Sequence, residues 1–181
     1  MCRATGAAVA FIAVGSNIEP EHNILAALAA LQDTVRVVAS STFYRTEPIG
    51  RTDQPRFING VWRIETPLSP QDVRQRLLRP IETRLGRLRT QDKFAPRTID
   101  LDLVLYNDAV LREGDLTLPH PDLARPFVYF PAIELLSQAG DLPDDLRARM
   151  KQLLPRSPQD ADPGEPLHEF TQLIRERLCA K

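Results

Sequence analysis

Asp100-Leu101-Asp102 sets two carboxylates two residues apart inside an aliphatic run. Side chains of a strand alternate with period two, so both acids project from one face, roughly 7 Å apart. Like charges held among apolar neighbours repel and lose hydration, so a positive partner must offset them. A hard divalent cation meets that need, since magnesium commonly takes one or two carboxylates together with substrate phosphates. Two metals about 3.5–4 Å apart, as used in phosphoryl transfer, suit such a pair. A bare Asp-x-Asp is more often a solvated pair at a sheet edge, so its neighbours decide. Seven arginines and Lys93 lie between Arg74 and Arg97, although 23 Lys and Arg nearly cancel 24 Asp and Glu in the whole chain. Arg87, Arg89 and Arg97 flank the stretch leading into the aspartates, and guanidinium forks match phosphate oxygens at any relevant pH. Arg74 and Arg76 read as an ordinary solvated helix face. Acids on one side and guanidiniums on the other make a polyphosphate clamp.

The bulk composition excludes several alternatives. With 181 residues, 43% apolar and 26% charged, the chain has the profile of one globular domain. A net charge of −1 and the lack of interleaved aromatics around the arginines argue against a nucleic-acid surface. No Gly-x-x-x-x-Gly-Lys loop is present, which removes an ordinary P-loop kinase. Cys2 and Cys179 lie at opposite ends, with no disulfide or zinc spacing. The apolar run 9–14 is too short to cross a bilayer and lacks a cleavage signal after it, so a cytoplasmic protein with no membrane partner is expected.

The elements that must position these residues follow from periodicity. The run 9–14 predicts a central strand covered on both faces. Glu19-Pro20-Glu21 opens a helix carrying Ile24, Leu28 and Leu31. Residues 35–44 alternate as one half-buried strand. Residues 46–55 form a loop long enough to be functional. Residues 57–65 predict a strand with Ile58, Trp62 and Ile64 on one face and Phe57 and Asn59 on the other. Ser69-Pro70-Gln71-Asp72 starts a helix that Pro80 should kink. Residues 98–106 form a strand, with Ile99, Leu101, Leu103 and Leu105 opposed to Asp100, Asp102, Val104 and Tyr106. A hairpin then turns at residues 112–115, and a short helix over 127–136 begins near Pro131. Leu167, Phe170, Ile174 and Leu178 mark a terminal helix. This order predicts an α+β protein: a ferredoxin-like antiparallel sheet with helices packed on it, in a single domain.

The run Lys93-Phe-Ala-Pro-Arg-Thr-Ile-Asp-Leu-Asp-Leu-Val104 resembles the signature of the 6-hydroxymethyl-7,8-dihydropterin pyrophosphokinase family of folate biosynthesis. The resemblance covers residues 9–136. It includes Gly15-Ser16-Asn17, Phe43-Tyr-Arg-Thr-Glu-Pro-Ile-Gly50, Asp53-Gln-Pro-Arg-Phe-Ile-Asn59, Gly86-Arg87 with Arg89, and Leu118-Pro-His120. It implies a pyrophosphokinase domain over residues 8–142, followed by an extension over 143–181 with no assigned role. It further implies ATP and a hydroxymethyl dihydropterin as substrates, two Mg2+ ions, and a monomer. On this resemblance Asp100 and Asp102 hold the metals, and Arg87 and Arg97 steady the phosphates. Glu82, Arg89, Leu103, Thr117, His120 and Arg125 surround the nucleotide, while Thr46, Pro48, Ile49, Phe57, Asn59 and Phe127 line the pterin pocket. Segments around Ile49 and Thr90 would move as surface loops beside the site. Arg79 replaces a frequent glutamine of the family and Asp115 a frequent arginine, and the segment from His120 to Phe127 is one residue short. Two other functions use the same residues: a two-metal nucleotidyltransferase or nuclease, and a non-enzymatic nucleotide-binding module.

Overall fold

The computed structural model describes residues 6–88, 92, 94–157 and 161–180. Strand β1 (Ala8–Ser16) is paired on both sides, antiparallel to β4 (Phe57–Thr66) and to β5 (Asp100–Tyr106). Helix α1 (Pro20–Gln32) follows β1, with proline in its first turn and Ile24, Leu28 and Leu31 buried. Two short strands, β2 (Arg36–Ser40) and β3 (Tyr44–Thr46), both pair with β4, giving the order β5-β1-β4-β3 with β2 beside β3 on the same edge. That is the expected antiparallel α+β sheet, its first strand central.

The single strand expected over residues 35–44 is in fact two. At the break the Ser41 N–H donates to the Val61 carbonyl at 3.0 Å, and the Ser41 hydroxyl accepts the Val61 N–H at 2.9 Å. A side-chain hydroxyl thus replaces a ladder carbonyl, as serine and threonine readily do. The kink drives Phe43 fully inward against Trp62, with ring centroids 6.1 Å apart, and over Gly60, where an added Cβ would lie 2.7 Å from the Phe43 ring.

After β4, Ser69 caps α2 (Pro70–Asp72) by accepting the Asp72 N–H at 3.1 Å. A π-helical turn (Val73–Leu78) precedes α3 (Arg79–Arg84), and the Arg79 N–H reaches back to the Arg74 carbonyl. Pro80 has no N–H to give, and the widened turn takes up the mismatch where a simple kink was expected. In β5 the register against β1 slips between Phe11 and Ile12, so Val104 and Leu105 both join the second core. Leu105 therefore leaves the face on which strict alternation placed it. The hairpin consists of β6 (Leu111–Glu113) and β7 (Leu116–Leu118). Helix α4 spans Pro126–Gln138 and starts at Pro126, not at Pro131. Proline suits a first helical position, while Pro131 inside the helix removes one backbone donor.

Two cores sandwich the sheet. Ala10, Ile12, Val14 and Trp62 pack with α1 and the π turn on one side, and Val9, Phe11 and Val61 pack with α4 on the other. Beyond α4, helix α5 (Asp144–Gln152) closes the second core through Leu146 and Met150. Strand β8 (Glu165–Pro166) pairs with β3, and α6 (His168–Cys179) lays Phe170 and Ile174 on the first core. Among the described residues no helix is long and apolar enough to cross a membrane.

Candidate active site

A cavity of about 530 Å³ opens where β1 ends. Its floor is set by strand register: Gly15 lies opposite Asn59 on one side and Asp100 on the other, and Ala13 lies opposite Val61 and Asp102. Residues directly opposite in an antiparallel ladder share a face. Asn59 and the two aspartates therefore look into one space, which the small side chains of β1 leave open. An alanine Cβ at position 15 would come within 2.7 Å of Asn59 Oδ1.

The charged half is tightly connected. Arg87 donates to both Glu82 and Asp100, and Arg97 donates to the other oxygen of Asp100. Buried Glu82 also accepts the Leu101 N–H at 3.0 Å, which ties α3 to β5. Burial opposes ionisation of Asp100, yet Arg87 and Arg97 outweigh it and hold the carboxyl below its ordinary value. Burial likewise opposes the charge on Arg87, and Asp100 and Glu82 reverse that effect. For Asp102 the balance reverses: burial, then Asp100, Glu82 and Asp122, outweigh Arg87 and push its carboxyl up to about 7. A buried acid so disfavoured as an anion is one that a divalent cation would stabilise. Among the described residues no group of three or more His, Cys, Asp and Glu gathers as a metal cage. Two carboxylates completed by substrate phosphates fit magnesium better than a cage would.

The other half suits a flat polar ring. Asn59 Nδ2 donates to Thr46 Oγ1 at 2.8 Å, and both residues are buried. Phe57 lies opposite Thr46, Arg97 stands 5.8 Å from the Phe57 ring centre, and Phe127 enters from the first turn of α4. Aromatic walls with an amide at the edge are what a heterocycle needs. The loops over the cavity touch one another. Arg51 pairs with Asp92 at 3.1 Å, Gln54 donates to the Phe94 carbonyl at 3.0 Å, and Gly50, at φ +83, accommodates the Phe94 ring.

Of the residues expected from sequence, Thr46, Ile49, Phe57, Asn59, Arg87, Arg97, Asp100, Asp102, Arg125 and Phe127 line this one cavity. Pro48 is buried and does not line the cavity, and Glu82 pairs with Arg87. The Leu103 side chain packs in the first core, on the face away from the aspartates. Thr117 sits on β7, and His120 turns its Nδ1 to accept the Asp122 N–H at 3.2 Å. Burial lowers the pKa of His120 below its ordinary value. Arg89 and Thr90 lie outside the described residues. Arg74 is no simple solvated residue: it and Arg79 both hold Asp115, at 2.6 and 2.8 Å. The hydrogen bond from Arg74 leads the effects that pull the Asp115 carboxyl down to about 2. The two departures at 79 and 115 thus answer each other. Gly15 and Ala13, which open the floor, and Asp122, which lines the wall, were not picked out as site residues. Only cross-strand register reveals the first two, while Asp122 follows Pro121 in a helix-start pattern.

An α+β sheet that brings two acids, two arginines and an aromatic–amide niche to the end of its central strand defines an enzyme of phosphoryl-group transfer. More narrowly, the chain belongs to the 7,8-dihydro-6-hydroxymethylpterin-pyrophosphokinase family, whose model matches residues 11–137. The 2-amino-4-hydroxy-6-hydroxymethyldihydropteridine pyrophosphokinase of Haemophilus influenzae is 41% identical over 133 residues, covering 71% of this chain and 81% of that protein. Its namesake from Pseudomonas aeruginosa is 41% identical over 129 residues, covering 69% and 78%. A mitochondrial folate synthesis bifunctional protein of Pisum sativum is 38% identical over 133 residues, covering 72% of this chain and 25% of its own length.

Proposed function

We propose that this protein transfers pyrophosphate from ATP to the hydroxymethyl group of 6-hydroxymethyl-7,8-dihydropterin in folate biosynthesis, with AMP as the other product. The observation that carries the reading is the register at Gly15, which faces the ring niche on one side and the acid–arginine cluster on the other. The hydroxymethyl oxygen attacks the β-phosphorus, a new O–P bond forms, the bond to the α-phosphate oxygen breaks, and the hydroxyl proton leaves to solvent. Asn59 and Thr46 orient the pterin edge, and Phe57 and Phe127 sandwich its faces. Arg87 and Arg97 exchange a carboxylate for phosphate oxygens when the triphosphate enters, while Glu82 keeps Arg87 in place. Two magnesium ions, held by Asp100 and Asp102 with the phosphates, would neutralise charge and acidify the attacking hydroxyl. Alignment and electrostatics are the main sources of rate in such transfers.

The test mixes protein, magnesium, ATP and the hydroxymethyl dihydropterin and measures AMP. AMP formed only with the pterin supports the proposal. AMP formed without it points to a nucleotidyltransferase or nuclease, and no AMP points to a binding module.

A further inference from the structure

The family match ends at residue 137, yet the chain beyond it reaches back to β3, the strand that carries Thr46. Strand β8 adds to the open edge of β3, with Glu165 opposite Arg45 and Pro166 opposite Tyr44. The Leu167 N–H donates to the Phe43 carbonyl at 2.8 Å, and the Phe43 N–H donates to Thr171 Oγ1 of α6 at 2.9 Å. Further along α6, Arg175 donates to the Ser40 carbonyl at 3.2 Å and pairs with Glu134 at 2.7 Å. Glu134 in turn accepts the Thr42 N–H at 2.9 Å. The broken β2–β3 edge is therefore held from the C-terminal side as well as by β4.

Two contacts carry this hold into the site. Gly164, at φ +110, runs so close to β3 that an added Cβ would lie 2.5 Å from the Arg45 carbonyl and 3.0 Å from Thr46 Cγ2. Only glycine adopts that backbone angle freely, and only glycine fits that space. Thr46 is the residue whose hydroxyl fixes the Asn59 amide. Glu165 lies 3.5 Å from Arg45 just before the loop 47–56 and 3.8 Å from Arg56 at its far end, and Arg56 pairs with Glu47 at 2.6 Å. One carboxylate thus links both stems of the loop over the niche.

We propose that residues 164–175 are a built-in positioning element for the ring subsite, with Gly164 seating Thr46 and Glu165 joining the two stems of the loop. Neither residue lines the cavity, so both act through β3 and the loop. The inference rests on the pterin reading of that niche. A three-residue strand at a sheet edge is poorly held by one neighbour, and β8 supplies the second.

The experiment uses the full chain and measures KM for the pterin, KM for ATP, kcat and thermal midpoint. Gly164→Ala should raise the pterin KM about tenfold, with the ATP KM kept within about twofold. Glu165→Gln, at an exposed position that does not threaten folding, should raise it about threefold, and Glu165→Asp should recover part of that loss. A split between pterin and ATP KM is a readout that general loosening would not produce. An unchanged pterin KM in Glu165→Gln, or equal rises for both substrates, overturns the inference while leaving the activity in place. Wild-type protein that makes AMP without regard to pterin overturns the reading of the niche itself, and the inference with it.

Discussion

Gly15→Ala adds a single methyl group at the point where the two halves of the site meet. Position 15 has ordinary strand geometry, so alanine meets no backbone strain there, and the effect comes from the methyl alone. The new Cβ would stand 2.7 Å from Asn59 Oδ1 but 3.9 Å from the Asp100 Cβ. The second distance is ordinary contact; the first is not. Asn59 must move by about half an ångström or more, and its donor to Thr46, now at 2.8 Å in a buried setting, loses its geometry. A buried polar group left unsatisfied costs about 1–3 kcal/mol, which corresponds to roughly 5- to 150-fold in binding. Calorimetric titration with the pterin should show a loss in this range, while affinity for a non-hydrolysable ATP analogue stays within about twofold. If pterin affinity is unaltered and the analogue binds less well, the ring does not sit against Asn59 and the cavity is not divided into a ring half and a phosphate half.

Asp102→Ala should keep its fold by circular dichroism and lose pterin-dependent AMP release by about a thousandfold or more, the scale of losing a main electrostatic stabiliser; wild-type turnover would refute the metal assignment. The pH dependence has a definite sign. The Asp102 carboxyl rises from 3.8 to about 7 on folding, so its contribution to stability is full below about 4 and is lost as pH climbs through 7. In chelator, the thermal midpoint of wild type relative to Asp102→Asn should therefore fall between pH 4 and 7, and a flat difference would contradict the burial argument. Gly60→Ala forces a methyl to within 2.7 Å of the Phe43 ring, which is wedged against Trp62, and should destabilise by about 1–3 kcal/mol in urea unfolding.

The parts of this structure that sequence made legible are those governed by local period. Asp100 and Asp102 share a face because they are two apart in a strand, and β1 is covered on both sides because its apolar run does not alternate with polar residues. Ser69, Pro70 and the stripe of α6 were readable for the same reason. What escaped was non-local. The break between β2 and β3 depends on the Ser41 hydroxyl finding Val61 twenty residues away, and the path of Leu105 depends on a bulge visible only when β5 is set beside β1. The start of α4 was misplaced because two prolines compete for the role of first helical residue, and Pro126 holds it. Arg79 and Asp115 looked like two separate departures, and became one ion pair only when the β6–β7 hairpin folded over the π turn.

If the site takes magnesium with the triphosphate, as proposed, the charges of the cavity would make the two enter best together. Arg87 and Arg97 saturate Asp100, and Asp102 stays a strained acid beside it. A polyphosphate entering alone would draw the arginines away and leave both carboxylates uncompensated against more negative charge. A divalent cation entering alone would find Asp100 already engaged by two guanidiniums. With both present, Arg87 and Arg97 would turn to phosphate oxygens and Asp100 and Asp102 would be free to hold the cations, so that each sign finds its opposite. Each partner would then raise the affinity of the other, and linkage requires the two enhancements to be equal. The pairing of Asp100 with Arg87 and Arg97 is what keeps such a concentration of acids folded, because unpaired buried charges cost several kcal/mol apiece.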